Sequence, residues 1–76
     1  MSTSPTFVAT FADDEVTRMS VFTSREKLDM ARGVRLARAA YESRMKRAAP
    51  PIVQAHYERN DEVVEHYTRE QLDSVP

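Results

Sequence analysis

Two stretches near the start of the chain alternate between apolar and polar residues. Residues 6–12 (TFVATFA) and 16–23 (VTRMSVFT) repeat with a period of two, which is typical of β-strands with one buried face. If residues 13–15 (DDE) form a three-residue loop, the two strands pair as an antiparallel hairpin. This register predicts one buried face made of Phe7, Ala9, Phe11, Met19 and Val21.

A long helix is predicted from about residue 25 to Ala48. Residues 23–26 (TSRE) match the capping box, in which a hydroxyl and a carboxylate bind free amide groups at a helix start. The two prolines at 50 and 51 cannot continue a helix. Gly33 lies beside an apolar stripe and would let the helix axis approach a sheet closely. The stripe contains Met30, Val34, Ala37, Tyr41, Met45 and Ala48.

The last third of the chain predicts a second hairpin. Residues 52–59 (IVQAHYER) and 62–69 (EVVEHYTR) flank Asn60-Asp61, a pair that tolerates the positive φ of a tight turn. A second capping box, Thr68 to Gln71, predicts one further helical turn. The residues expected to point inward are Val53, Ala55, Tyr57 and Val64.

The element order is therefore ββαββ, an α+β fold. A helix of about 24 residues spans roughly 36 Å and returns the chain along the sheet. The third strand then runs parallel to the second, so a four-stranded antiparallel sheet needs the order 2-1-3-4 or 1-2-4-3. The long helix covers one face and leaves the other open. We expect a disordered lead at residues 1–5, a single domain at 6–72 and a frayed end at 73–76.

Size and composition limit the class of protein. A chain of 76 residues forms one domain with a modest core. It has no cysteine, and its start (MSTSP) lacks the basic and apolar regions of a secretory signal. No apolar run approaches the roughly 18 residues of a membrane span. We expect a protein of the cytoplasm.

Charge is segregated along the chain. Residues 25–47 contain eight of the eleven Lys and Arg residues but only three acids, whereas both flanking regions are acidic. The formal net charge of −1 hides this basic middle, which favours electrostatic partner choice. We expect the helix face opposite the core stripe to bind an anionic partner, because it mixes guanidinium groups with leucines as interfaces do. Its residues are Arg25, Leu28, Arg32, Arg35, Leu36 and Lys46. The alternative is a solvated face whose arginines pair with acids of the second hairpin.

The open face of the sheet is a second possible interface. Phe22, Ile52 and Tyr67 would lie there in a contiguous apolar set, which favours a homodimer or a partner contact. Two alternatives remain: a mixed surface that binds nothing, or strand faces opposite to those assigned.

The sequence offers little support for catalysis. His56 should face Glu65 and His66 should face Ala55, so the two imidazoles would not converge. We therefore expect no metal, since a site needs three or four ligands, and no cofactor. No nucleophile setting or glycine-rich phosphate loop is present, and we expect no enzyme activity.

The opening hairpin TFVATF–DDE–VTRMSVFT, the single long helix and the closing hairpin together form a layout that resembles small phage-encoded proteins, the anti-CRISPR inhibitors among them. The resemblance is one of architecture and implies steric blockade of a bacterial CRISPR-Cas complex, on a protein or guide-RNA surface, in the host cytoplasm. It implies no site residue. The alternative is a small nucleic-acid-associated regulatory protein that places its arginines on phosphates. A steep loss of affinity with salt would favour this alternative.

Overall fold

The computed structural model describes residues 5–22, 28–59 and 62–76. Its elements follow the order ββαββ with a short helix added: β1 (Thr6–Phe11), β2 (Arg18–Phe22), α1 (Met30–Met45), β3 (Ile52–Arg59), β4 (Glu62–Tyr67) and α2 (Arg69–Asp73). The four strands form one antiparallel sheet in the order β2-β1-β3-β4. The predicted α+β class is confirmed, and the first of the two predicted strand orders is the one found.

The first hairpin has the predicted register. Phe7 faces Val21 and Ala9 faces Met19. The Phe11 amide donates to the Thr17 carbonyl over 2.7 Å. Side chains on this face meet α1 in the core, where Phe7, Ala9 and Phe11 are fully buried. Alternation sets this register because a slip of one residue would turn every aromatic side chain to the other face.

Helix α1 is shorter than predicted. Asp29 is its N-cap, with a side-chain oxygen that accepts from the Arg32 amide over 2.8 Å. The capping box predicted at residues 23–26 lies outside the described residues. The helix ends at Met45 because Lys46 adopts a left-handed conformation (φ 59°), and its amide donates to the Glu42 carbonyl over 3.0 Å. Ala48, predicted in the stripe, is an exposed residue beyond the helix.

The centre of the predicted stripe is confirmed. Val34, Ala37 and Tyr41 are fully buried, and Met30 and Met45 are partly buried against the same cluster. Gly33 is also buried, as expected from its place beside the stripe.

The second hairpin contains two irregularities that period-two alternation does not predict. Between Thr10 and Phe11 the β1–β3 register shifts, so Ile52 pairs with Phe11 and is buried in the core. Between Tyr57 and Glu58 the β3–β4 register shifts, so Tyr67 pairs with Ala55. Tyr67 therefore packs on the inner face, while Val64, predicted inward, is 63% exposed. An extra residue in one strand reverses the facing of every residue beyond it.

The C-terminal segment packs more closely than predicted. The Thr68 capping box is formed, with the Gln71 amide donating to the Thr68 hydroxyl over 3.1 Å. Leu72 and Val75 are both buried in the core cluster. The expected fraying of residues 73–76 is thus wrong for Val75, because its side chain has apolar neighbours to pack against. None of the helices in the described parts of the chain is long and apolar enough to cross a membrane.

Candidate interaction surfaces

The exposed side of α1 carries most of the predicted docking residues. Asp29 caps the first turn. The buried stripe of Val34, Ala37 and Tyr41 sets the rotation of the helix, which directs Arg32 and Arg35 away from the sheet. Both arginines are exposed, and Leu36 beside them is 38% exposed. Lys46 is also exposed, at the C-cap. We call the exposed surface formed by Arg32, Arg35 and Leu36 the arginine face.

The guanidinium groups of the arginine face have no internal acidic partner among the described residues. Ion pairs in this part of the chain join Arg47 to Asp13 and Arg69 to Asp73, and a third contact joins His56 to Glu58. Arg32 and Arg35 take part in none of them. The alternative in which these two arginines pair with acids of the second hairpin is therefore not seen in the described parts.

One predicted member of the docking surface is buried, and another lies outside the described residues. Leu28 is only 3% exposed and lies in the core, so its assignment to a partner surface is wrong. It precedes the helix, where the helical spacing used to place it does not apply. Its carbonyl accepts a hydrogen bond from the Tyr57 hydroxyl, which holds this extended segment against the sheet. Arg25 lies outside the described residues.

The open face of the sheet is less apolar than predicted. Phe22 is 67% exposed on it, as expected. Ile52 and Tyr67 lie on the inner face because of the two register shifts, so their assignment to the open face is wrong. Val63, paired with Glu58 across the hairpin, is a second exposed apolar residue on this face, where alternation places it.

The two histidines converge, contrary to prediction. The shift between Tyr57 and Glu58 pairs His56 with His66, and their ring centroids are 5.9 Å apart. The His56 Nε2 atom lies 2.7 Å from a Glu58 carboxylate oxygen. Among the described residues, however, no group of three or more potential ligands is arranged to hold a metal ion.

A polar cluster joins the first loop to the end of α1, and sequence analysis missed it. One Asp13 oxygen accepts from the Thr17 amide over 2.8 Å. The other accepts from the Thr17 hydroxyl over 2.6 Å and from the Tyr41 hydroxyl over 2.8 Å. Arg47 Nε donates to the Tyr41 hydroxyl over 3.1 Å, and another guanidinium nitrogen lies 3.5 Å from Asp13. The Asp-to-Thr spacing of four residues is a local signal, but the contacts with α1 are visible only in three dimensions.

We call the cluster of Asp13, Thr17, Tyr41 and Arg47 the brace, because its hydrogen bonds hold the first loop against α1. The hydrogen bond from the Thr17 hydroxyl, then that from the Thr17 amide, holds the pKa of Asp13 well below its usual range. Burial, and then the hydrogen bond to Asp13, raises the pKa of Tyr41. Both groups therefore keep their ordinary charge state at neutral pH, and each is occupied by several partners. Such a cluster positions the loop and has no group poised for proton transfer.

Two shallow surface depressions are lined by described residues. One is lined by Leu28, Asp29, Met30, Glu65 and Tyr67. Another lies at the brace, between Asp13 and Arg47. Neither gathers a nucleophile with a base. Comparison with protein-family models, curated proteins and solved structures found no match to this chain.

Proposed function

We propose that this protein is a non-enzymatic binding protein that docks through the arginine face of α1. The observation that carries the proposal is the pair of exposed guanidinium groups, Arg32 and Arg35, with no acidic partner in the described parts of the chain. A guanidinium is a planar fork of donors suited to carboxylates and phosphates. Leu36, which is 38% exposed, adds the apolar contact that protein interfaces contain.

The partner we propose is an acidic protein or ribonucleoprotein surface, and specifically a bacterial CRISPR-Cas complex that is blocked sterically. The architecture-level resemblance to phage-encoded inhibitors supports this choice. The arginine face lies on the exposed side of α1, and an exposed helix surface suits contact with, and blockade of, a partner surface. In this proposal the protein is an inhibitor that acts by covering a surface.

The alternative partner is a nucleic acid, with the same two arginines on phosphates. The formal net charge of −1 weighs against it, since proteins that bind nucleic acid by charge usually carry a positive excess. Salt separates a protein surface from a nucleic-acid surface: phosphate contacts make affinity fall steeply between about 50 and 200 mM salt. A protein interface with Leu36 at its centre gives a shallow dependence.

The central experiment reverses the charge of the arginine face with Arg32→Glu and Arg35→Glu together. We expect this variant to lose binding, because reversed charges repel an anionic partner as well as losing contacts. Its free energy of unfolding should change by less than about 0.5 kcal/mol, as for other surface substitutions. The readouts are protection of a targeted plasmid in cells with an active CRISPR-Cas system, co-purification of the Cas complex, and chemical denaturation.

The matched control reverses Arg59 and Arg69 instead. Both are exposed, both lie outside α1, and the change in net charge is the same. The control should protect the plasmid as well as the unmodified protein does. Equal loss of activity in both variants would attribute binding to overall charge rather than to the arginine face. Absence of protection by the unmodified protein across CRISPR-Cas types would refute the inhibitor proposal.

A further inference from the structure

The two edges of the sheet differ in how they are guarded. Strand β4 carries two features that natural proteins use against edge-to-edge pairing: the register shift beside Glu58 and the inward-facing charged side chain of Glu65. Strand β2, at the other edge, has neither. Its sequence, RMSVF, contains no proline and no lysine, and Arg18 is its one charge.

Strand β2 directs backbone N–H and C=O groups away from β1, where another strand could pair with them. The Phe11 amide donates to Thr17, which shows that Thr17, Met19 and Val21 direct their backbone groups toward β1. By alternation, the N–H and C=O groups of Arg18, Ser20 and Phe22 point outward. Among the described residues, no backbone hydrogen bond engages these outward groups. A five-residue strand with three outward donor–acceptor pairs is therefore left at this edge.

We propose that the occupant of this edge is β2 of a second copy, paired antiparallel about a two-fold axis at Ser20. In this register Ser20 meets its own counterpart, and Arg18 of each chain lies opposite Phe22 of the other. That arrangement places a guanidinium beside the 67% exposed Phe22 ring, a cation–π contact, and places no like charges opposite each other. Six new backbone hydrogen bonds would join two four-stranded sheets into one of eight strands.

The position of α1 favours the same occupant. The helix packs over β2 and β1, and a two-fold axis perpendicular to the sheet puts both copies of α1 on the same side. Arg38 donates to the Pro76 carbonyl over 2.8 Å, so that flank of the helix faces the C-terminal segment. Leu36 and Ala40 lie about 160° around the helix from Arg38. Of the two, the partly buried Ala40 lies nearer the sheet and faces the β2 edge, where two copies would bring these small side chains together, while Leu36 stays on the arginine face. Arg32 and Arg35 remain exposed in this dimer.

Disulfide trapping tests the register directly, because the chain has no cysteine of its own. Across the two-fold axis, the Cα atoms of Ser20→Cys would be about 5.5 Å apart, within disulfide reach. Phe22→Cys is the matched control: it is on the same strand and also exposed, but its two copies would be about 14 Å apart. We expect Ser20→Cys to cross-link at least about tenfold faster at micromolar concentration, since paired thiols have a millimolar effective concentration.

A mixture of Arg18→Cys with Phe22→Cys should cross-link as a heterodimer, because these positions are opposite each other in the proposed register. Light scattering of the unmodified protein across a concentration series should report a dimer. A monomer mass at all concentrations, or equal cross-linking rates for Ser20→Cys and Phe22→Cys, would overturn the proposal. The result is independent of the docking test, since Arg32→Glu with Arg35→Glu leaves β2 unchanged.

Discussion

Gly33 is a residue at which helix and sheet approach closely. A Cβ atom built there would lie 2.8 Å from Phe7 Cδ2 and 2.9 Å from Phe7 Cγ. The Phe7 ring is fully buried and also contacts Tyr57 edge-to-face at 5.4 Å, so it has little room to move. The absent side chain at this position therefore sets the distance between α1 and β1.

We expect Gly33→Ala to destabilise the protein, although alanine favours helix by about 1 kcal/mol. Overpacking against the immobile Phe7 ring costs about 1–3 kcal/mol and outweighs that gain. Urea denaturation measures the difference. The control, Ala39→Gly on the exposed side of α1, isolates helix propensity and should cost about 1 kcal/mol. If Gly33→Ala instead raised stability by a similar amount, the close approach to Phe7 would not hold in solution.

At the scale of elements, the brace at Asp13 ties the β1–β2 loop to the last turn of α1. Asp13 belongs to the loop, Tyr41 to the helix and Arg47 to the segment after it. Phe11, at the end of β1, packs on the Tyr41 ring with centroids 4.6 Å apart. The same tyrosine thus joins the apolar core to the polar brace, and its hydroxyl fixes where the loop lies.

The brace makes stability depend on pH in the acid range. The pKa of Asp13 is depressed in the folded protein, so its contribution is fully present above the unfolded value of about 4. It is lost as pH falls below that value. Asp13→Asn should lower the free energy of unfolding at neutral pH. It should also make that free energy fall less steeply between about pH 4 and 2. Asp14→Asn, exposed in the same loop, is the control and should keep the slope of the unmodified protein. Parallel slopes for all three proteins would argue against the brace.

The elements differ in how far the sequence could predict them. The first hairpin and the centre of the α1 stripe were correctly predicted, because clean alternation and helical spacing leave one arrangement that buries Phe7, Phe11 and Tyr41. The second hairpin was not, because one register shift depends on pairing with β1, which is distant in the chain, and the other on an extra residue within the hairpin itself. Alternation has no signal for an extra residue.

The candidate site was also predictable only in part: residues within the regular helix were placed correctly, and residues beyond a helix cap or a register shift were not. Arg32, Arg35 and Leu36 lie within α1 and are exposed where helical spacing places them. Leu28 was misplaced because the helical phase was extended past the Asp29 cap. Ile52 and Tyr67 were misplaced by the register shifts.

For the molecule as a whole, the core is closed by two helices rather than one. Helix α1 packs over β2 and β1, whereas α2 packs against β3. Leu72 of α2 is 2% exposed, and Val75 just after it is also buried. The bond from Arg38 to the Pro76 carbonyl joins the two helical segments over the sheet. The short C-terminal helix is thus part of the folded domain.

Leu72→Ala should lower the free energy of unfolding by about 2–5 kcal/mol, the range for truncating a buried leucine. That is a large share of the roughly 5–15 kcal/mol that stabilises a small domain. Glu70→Ala, exposed in the same helix, should change stability by less than about 0.5 kcal/mol. Thermal or urea unfolding distinguishes them. Similar stabilities for the two variants would mean that α2 does not pack on β3 in solution.

The central position of β1 has a consequence during synthesis. Its pairs with β3 join residues 41 apart (Phe11 and Ile52) to 52 apart (Thr6 and Glu58). At about 5–20 residues per second, a ribosome needs roughly 2–10 s to make that length of chain. Throughout this interval the aromatic strand TFVATF has at most one neighbour, and its second edge has no partner within the nascent chain. The growing chain is therefore most exposed to aggregation, and to capture by chaperones, before Ile52 to Glu58 emerge.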